Sequence, residues 1–181
     1  MLILLDRDGV LNEQRSDYVK SPDELRLILG AAEAVADLCR AGYRIAVVTN
    51  QSCIGRGIID TDMLSSIHQR LCDEVARAGG RLDEIFHCPD PPWAATERRK
   101  PGPGMLREAL ARFGATAAQT PVIGDSLGDL EAASALSCPR ILVRTGSGAA
   151  TQAAGIPSHI LPVAVYRDLA AAARALIVAD S

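Results

Sequence analysis

The amino-terminal segment of the chain combines a short apolar run with two acidic residues. Residues 2–5 are Leu-Ile-Leu-Leu, and Asp6, Asp8 and Gly9 follow them closely. An uninterrupted apolar run of this length predicts a strand buried on both faces, which is typical of a parallel sheet. Two carboxylates placed two residues apart repel each other unless a cation or other donors accompany them. For this segment alone, an ordinary Asp-rich turn after a strand is the alternative interpretation.

The rest of the chain alternates predicted strands with predicted helices. The strands are expected at 2–5, 44–50, 82–88, 121–124, 140–144 and 159–161. The helices are expected at 31–40, 60–78, 103–113, from 125–129 onwards, and 163–179. This order predicts right-handed βαβ units and an α/β fold with a doubly wound parallel sheet. Single helices fill the connections, so we expect one domain over 1–181, roofed by loops alone, with residues 12–28 in the wall of a site.

Composition narrows the class of protein. The 181 residues carry a formal net charge of −3, which does not favour a nucleic-acid partner. No apolar run approaches the roughly 20 residues of a membrane span, and no basic segment precedes the apolar run that ends before Asp6. The five cysteines are scattered and form no CxxC pair, which favours free thiols. We therefore expect a cytoplasmic monomer without a membrane or nucleic-acid partner.

Polar residues follow the first four predicted strands. They are Asp6 and Asp8, then Thr49 and Asn50, then Arg99 and Lys100 after a proline-rich loop, and then Asp125 and Asp129. Each has an ordinary structural interpretation: a strand end, a helix N-cap or a solvated run of charges. Parallel strands share one carboxyl-end edge, however, so these groups should meet in one crevice. Together they suit phosphoryl transfer, in which a carboxylate attacks phosphorus while Mg²⁺, a lysine and a threonine hydroxyl stabilise the charge.

These motifs resemble the four motifs of haloacid-dehalogenase-type phosphohydrolases, and the resemblance extends from residue 6 to about residue 145. The resemblance implies a HAD-like, Rossmann-type fold without a cap domain. It implies that Asp6 is the nucleophile that forms an aspartyl-phosphate, and that Asp8 is the acid and then the base. It also implies that Thr49 and Lys100 stabilise the transferring group. Mg²⁺ would be held by Asp6, the main-chain carbonyl of Asp8, and Asp125, with Asp129 nearby.

Within that superfamily, three segments resemble the heptose-bisphosphate phosphatase branch. They are residues 6–9, residues 49–52 with 55–57, and residues 99–101. The resemblance implies a Mg²⁺-dependent removal of the C7 phosphate from a heptose 1,7-bisphosphate, a precursor of activated heptose for lipopolysaccharide. The substrate contacts that it implies are Arg7, Asn50, Gln51, Ser52, Arg99 and Ser126. The loop from Glu13 to Tyr18 departs by one residue from the family's spacing, so its contacts are carried over only weakly.

The same branch usually holds zinc in the loop before the Arg-Lys-Pro motif, with a Cys-x-His pair and a Cys-x-Cys pair. Here Cys88 is present, but Asp90 occupies the histidine position and residues 96–98 are Thr-Glu-Arg. One thiolate and one carboxylate cannot complete a closed tetrahedral site. We therefore expect no structural zinc.

Several other functions remain open at this point. Histidinol-phosphate phosphatase is the sibling activity, although the substrate amine would suit an acid better than Ser52. A nucleic-acid 3′-phosphatase would share the catalytic motifs. A signalling receiver module or another non-catalytic phospho-acceptor would share the fold, but a receiver carries its phosphorylated aspartate after the third strand, not the first.

Overall fold

Six parallel strands form one sheet in the order β3-β2-β1-β4-β5-β6 in the computed structural model, which describes residues 1–180. The strands are β1 (Leu2–Leu5), β2 (Arg44–Asn50), β3 (Glu84–Cys88), β4 (Val122–Gly124), β5 (Arg140–Val143) and β6 (Ala164–Tyr166). The helices are α1 (Ala31–Arg40), α2 (Thr61–Arg77), α3 (Gly104–Phe113), α4 (Leu127–Ala135), α5 (Gly148–Ala154) and α6 (Leu169–Ala179). None of the helices within residues 1–180 is both long enough and apolar enough to cross a bilayer.

Side chains of the central strand alternate between two apolar layers. Ile3 and Leu5 pack with buried residues of α1, α2 and α6 on one face of the sheet. Leu2 and Leu4 pack with buried residues of α3 and α4 on the other face. All four side chains are at most 1% exposed, as expected for a strand covered on both faces. The predicted doubly wound α/β architecture is therefore confirmed.

The strand order reverses at β1, which lies between β2 and β4. Leu5 of β1 is paired with Val47 on one side and Ile123 on the other. In sheets of this kind, a crevice opens at the carboxyl ends of the strands where the order reverses. The fold therefore places Asp6, which follows β1, beside Asp125, which follows β4.

Residues 11–28 form an irregular antiparallel segment next to this crevice. Asn12 and Leu27 form an isolated bridge, and the Glu13 amide donates to the Arg26 carbonyl. The Ile28 amide donates to the Leu11 carbonyl, which closes the segment beside the strand end. The prediction that residues 12–28 contribute to the wall of the site is confirmed, because this segment supplies lining residues to the crevice.

The end of the chain differs from the sequence prediction. The predicted strand at 159–161 is wrong: Ser158–Ile160 is a 3₁₀ turn, and β6 lies at Ala164–Tyr166, paired with β5. The last helix does not begin at residue 163, because Asp168 caps it by accepting a hydrogen bond from the Ala171 amide. The short helix α5 was not predicted, and Gly148 is its one buried residue.

Candidate active site

A crevice at the carboxyl ends of β1, β2 and β4 contains most of the predicted functional residues. Its lining residues are Asp6, Arg7, Asp8, Gln14, Arg15, Tyr18, Val19, Thr49, Asn50, Lys100, Asp125 and Ser126. The sequence prediction that groups from separate strand ends converge is therefore confirmed for these positions.

Lys100 lies between two carboxylates at the base of the crevice. Its Nζ is 3.0 Å from Asp6 Oδ1 and 2.5 Å from Asp129 Oδ1, and it also donates to the Val48 carbonyl at 2.7 Å. Burial lowers the pKa of Lys100, but the charges of Asp129 and Asp6 outweigh burial and raise it overall. Lys100 is therefore a fixed cation beside the predicted nucleophile.

Asn50 holds the main chain of Lys100 in place. Asn50 Nδ2 donates to the Lys100 carbonyl at 2.9 Å, and Asn50 Oδ1 accepts from the Lys100 amide at 3.0 Å. This reciprocal pair joins the end of β2 to the loop after β3. The side chain predicted to bind substrate thus positions Lys100, and its contact with substrate stays a prediction.

Asp125 is fixed by the loop that follows β5. Its Oδ2 accepts a hydrogen bond from the Ser147 amide at 2.7 Å. A Cβ atom at Gly9 or Gly146 would lie 2.1 or 2.2 Å from the same oxygen, and both glycines have positive φ angles. Burial raises the pKa of Asp125 to about 6, and the Asp129 charge adds to this while the Ser147 hydrogen bond opposes it. Two glycines and one amide therefore determine where this carboxylate lies.

Carboxylate oxygens of Asp6, Asp125 and Asp129 all lie within 4.8 Å of one another. Burial and the Asp129 charge raise the pKa of Asp6 to about 8, even though Lys100 opposes them. With Asp8, four carboxylates meet two buried cations, Lys100 and Arg7, so the ionised cluster has an excess of two negative charges. An all-oxygen donor set with this charge fits a divalent cation such as Mg²⁺.

Asp129 is already bonded through both of its oxygens. Oδ1 accepts from Lys100, and Oδ2 accepts from the Ser126 amide at 3.0 Å and from Ser126 Oγ at 2.6 Å. The bond from the Ser126 amide forms the capping box of α4 together with the Asp129 amide, which donates to Ser126 Oγ. This arrangement agrees with the prediction that Asp129 is a nearby acid, while the ligand set of Asp6, Asp8 and Asp125 stays a prediction.

Asp8 receives hydrogen bonds at both of its oxygens. Arg7 Nη2 lies 3.0 Å from each oxygen, Asn12 Nδ2 donates to Oδ1 at 2.9 Å, and Gln51 Nε2 donates to Oδ2 at 2.8 Å. Burial raises the pKa of Asp8, but the Arg7 charge and these hydrogen bonds outweigh burial and lower it. The carboxylate is thus held in one orientation.

Three predicted residues, Gln51, Ser52 and Arg99, are not among those that line the crevice. Gln51 Nε2 also donates to Thr49 Oγ1 at 2.8 Å, so Gln51 orients Thr49 as well as Asp8. Ser52 Oγ lies 3.2 Å from the Tyr18 hydroxyl, and Arg99 Nη1 donates to the Asp90 carbonyl at 2.8 Å. Substrate contacts of Arg7, Gln51, Ser52, Arg99 and Ser126 stay predictions.

Sequence reasoning missed several residues of the site. Gln14, Arg15 and Tyr18 line the crevice, and Tyr18 has a φ of 65°. The contacts of this loop were carried over only weakly, without naming residues, because its spacing departs from the family pattern. Ser147 was missed because residues 145–148, Thr-Gly-Ser-Gly, have the composition of an ordinary turn.

The loop of residues 89–99 is closed by a side-chain contact. Asp90 Oδ2 accepts from the Thr96 amide at 2.9 Å and from Thr96 Oγ1 at 2.5 Å, while Cys88 is fully buried. The guanidinium of Arg56 stacks over the ring of Trp93, with its central carbon 4.7 Å from the ring centroid. The loop therefore has internal contacts of its own, and the absence of zinc stays a prediction.

Comparison with known proteins points to one family. A family model described as HAD-hydrolase-like matches residues 97–172. The D-glycero-beta-D-manno-heptose-1,7-bisphosphate 7-phosphatase of Pseudomonas aeruginosa is 44% identical over 97% of each chain. The enzyme of that name from Bordetella bronchiseptica is 42% identical over 97% of each chain. A crystal structure of the D,D-heptose 1,7-bisphosphate phosphatase of B. bronchiseptica with magnesium and phosphate superposes with a TM-score of 0.93, at 41% identity over 99% of each chain.

Proposed function

Because the chain belongs to the heptose-1,7-bisphosphate 7-phosphatase family of HAD-like hydrolases, we propose that it removes the C7 phosphate from D-glycero-D-manno-heptose 1,7-bisphosphate. The β anomer, for which the relatives are named, is the proposed form. A small sugar phosphate is accordingly the partner of the site. A cytoplasmic location is part of the same proposal, because all five cysteines are free thiols. The monomeric state stays a prediction.

One observation carries the proposal: Asp6, Asp125 and Lys100 meet in one crevice, with Asp8 two residues beyond Asp6. The charge and oxygen donors of this cluster suit Mg²⁺, and a related structure contains magnesium and phosphate. Asp6, the Asp8 carbonyl and Asp125 would hold the ion, which supplies neutralisation of the phosphate oxygens when it is bound.

In the proposed reaction, an Asp6 carboxylate oxygen attacks phosphorus, and the bond from phosphorus to the C7 oxygen breaks. Lys100 and the Thr49 hydroxyl stabilise the phosphate charge as it moves. Asp8 transfers a proton to the departing alkoxide, which would otherwise be a poor leaving group. Asp8 then accepts a proton from water, which attacks the aspartyl-phosphate and releases inorganic phosphate.

The protonation state of Asp8 depends on the substrate. In the free protein, Arg7 and the surrounding donors keep the pKa of Asp8 low. The negative charges of an arriving phosphate favour the protonated carboxyl group. Substrate binding is thus expected to favour protonation of Asp8, which then gives this proton to the alkoxide.

The experiment that tests this function compares three substrates under the same conditions with saturating Mg²⁺. They are heptose 1,7-bisphosphate, histidinol phosphate and a 3′-phosphorylated oligonucleotide. We expect the highest kcat/KM for the bisphosphate, with phosphate released from C7 only. A preference for histidinol phosphate or for the oligonucleotide would contradict the proposal.

The nucleophile is tested separately by Asp6→Asn. The amide is nearly isosteric but cannot attack phosphorus, so turnover should be abolished while phosphate still binds in the presence of Mg²⁺. Circular dichroism and phosphate titration check the fold and the binding. Normal turnover in this variant would contradict the role of Asp6 as nucleophile, whereas absence of turnover in the wild-type protein would favour a non-catalytic phosphate-binding module.

A further inference from the structure

Arg7 has an unusual environment for a charged residue. It lies between Asp6 and Asp8 in the sequence, and it is 1% exposed. Its Nη2 atom is 3.0 Å from both carboxylate oxygens of Asp8. The guanidinium group therefore contacts Asp8 from the protein interior.

Two buried amides complete the contact surface around Asp8. Asn12 is 0% exposed and donates to Oδ1, and Gln51 is 2% exposed and donates to Oδ2. Asn12 is itself held in place. Its main-chain carbonyl accepts a hydrogen bond from the Gly9 amide at 2.7 Å, and its side-chain Nδ2 also donates to the Glu13 carbonyl. Donors on both oxygens prevent the carboxylate from rotating.

The buried guanidinium of Arg7 has few contacts that would offset the cost of its burial. Its Nε and Nη1 atoms are buried and have no hydrogen-bond partner within residues 1–180. His68 lies nearby and is neutral, because burial and the Arg7 charge lower its pKa to about 3, and it does not offset the Arg7 charge. A buried cation with two unsatisfied donor atoms costs stability. The side-chain hydrogen bonds that the Arg7 guanidinium does form are those to Asp8.

We propose that Arg7, together with Asn12 and Gln51, is a positioning residue that fixes the Asp8 carboxylate for proton transfer to the leaving alcohol. Arg7 then acts on the reaction through Asp8 and does not bind substrate directly. This inference rests on the proposed acid and base role of Asp8. Small errors in the placement of a proton donor reduce the catalytic rate strongly. A rigid support for Asp8 is therefore expected to raise the rate of the step in which the leaving alcohol is protonated.

The test is Arg7→Met, assayed in the full chain with saturating Mg²⁺ on two kinds of phosphomonoester. Alkyl esters, namely the heptose bisphosphate and glycerol phosphate, need a proton on the leaving oxygen, whereas p-nitrophenyl phosphate does not. We expect kcat on the alkyl esters to fall about 100-fold with little change in KM. With p-nitrophenyl phosphate, the variant should release one nitrophenolate per enzyme in a rapid burst, followed by slow turnover, because Asp8 is also the base in the second step.

A double-mutant cycle separates this role from a general structural effect. In an Asp8→Asn background, Arg7→Met should cause no further loss on alkyl esters, since the group that Arg7 positions is absent. Asn12→Ala should likewise lose activity on alkyl esters and keep the burst with p-nitrophenyl phosphate. This variant replaces Arg7→Met in the test if thermal denaturation shows that Arg7→Met does not fold. A burst slowed as much as alkyl ester hydrolysis, a rise in KM at constant kcat, or additive losses in the cycle would overturn the proposal.

Failure of the proposed substrate gives a different result. If wild-type protein hydrolyses glycerol phosphate but not the heptose bisphosphate, the function proposed above is wrong. The comparison of glycerol phosphate with p-nitrophenyl phosphate still decides whether Arg7 acts through Asp8.

Discussion

The Nζ atom of Lys100 lies 3.0 Å from Oδ1 of Asp6, and the two side chains are only 4% and 13% exposed, respectively. The same ammonium group contacts Asp129, so one cation is shared by two carboxylates of the cluster. A buried charge that loses its partner is strongly destabilising, whereas an exposed pair contributes little. Lys100 therefore has a role in stability as well as in the proposed chemistry.

Lys100→Met should lower the free energy of unfolding by about 3 kcal/mol in EDTA, because two buried carboxylates lose their cation. Mg²⁺ should restore part of this loss, since it offsets the same negative charge. The measurement is urea denaturation with and without Mg²⁺. Lys20→Met is the control, because Lys20 pairs with Asp17 and Glu24 at the surface; an equal loss in the control would contradict the prediction.

The raised pKa of Asp125 predicts a pH dependence of stability without metal. Because its pKa in the folded protein is about 6, above the unfolded value, its favourable contribution is complete below about pH 4 and is lost as the pH rises through 6. Relative to Asp125→Asn, the wild-type protein should therefore lose about 2–3 kcal/mol of stability between pH 4 and pH 8 in EDTA.

Urea denaturation of both proteins at several pH values measures this difference. With Mg²⁺ present, the trend should reverse for the wild-type protein, since the ion binds the ionised carboxylate. Parallel pH curves for the wild-type protein and Asp125→Asn in EDTA would show that Asp125 titrates normally.

Much of the sheet could be predicted from sequence because its central strands are short, apolar and followed by polar residues. Leu2–Leu5 is buried on both faces, and no helix of that length would be stable. β6 was misplaced because Ile160 and Leu161 form a short apolar pair after His159, although Pro157 and Pro162 flank this segment. The β-branched Val163 and Val165 and the cap residue Asp168 were available signals that the alanine-rich composition obscured.

Some roles in the site could be predicted from the sequence and others could not. The acids and Lys100 could be predicted because their chemistry is visible in single residues at strand ends. The roles of Asn50 and Gln51 could not, because an amide at a strand end can contact either substrate or protein. Only the three-dimensional contacts show that Asn50 holds Lys100 and that Gln51 joins Asp8 to Thr49.

Gly146→Ala should weaken Mg²⁺ binding. The new Cβ would lie 2.2 Å from Asp125 Oδ2 and 2.5 Å from the main-chain Cα of Gly9, so the carboxylate and the adjoining backbone have to move, and φ at this position is +55°. We expect the Mg²⁺ concentration for half-maximal activity to rise about tenfold. Gly114→Ala is the control, because it has a similar φ of +58° with nothing within 4 Å of its Cβ. An equal rise in the control would show that backbone strain, not the Asp125 contact, is responsible.

Metal analysis tests the prediction for the loop of residues 89–99. Protein purified without chelator should contain no stoichiometric, tightly bound zinc, since Cys88 is buried and Asp90 already accepts two hydrogen bonds from Thr96. Asp90→Ala should increase proteolysis within the loop without changing metal content. One zinc ion per chain in the wild-type protein would contradict this prediction.

Arg99→Ala should reduce activity selectively on the bisphosphate. Arg99 is the last residue of the loop of residues 89–99 and precedes Lys100, and its Nη1 atom donates to the Asp90 carbonyl. No cap domain covers the crevice within residues 1–180, so we expect selectivity to come from residues around it, and Arg99 is the candidate although it does not line the crevice itself. We expect kcat/KM for heptose 1,7-bisphosphate to fall about 10- to 100-fold, which corresponds to the loss of a charged hydrogen bond.

The matched substrate for this comparison is heptose 7-phosphate, which lacks only the phosphate on C1. If Arg99 binds that second phosphate, Arg99→Ala should leave kcat/KM for the monophosphate nearly unchanged. Arg98→Ala is the control variant, because the neighbouring Arg98 pairs with Glu108 and the His87 carbonyl. Equal losses on both substrates would instead indicate that Arg99 acts by positioning Lys100, because a displaced Lys100 would impair attack at C7 whether or not C1 carries phosphate.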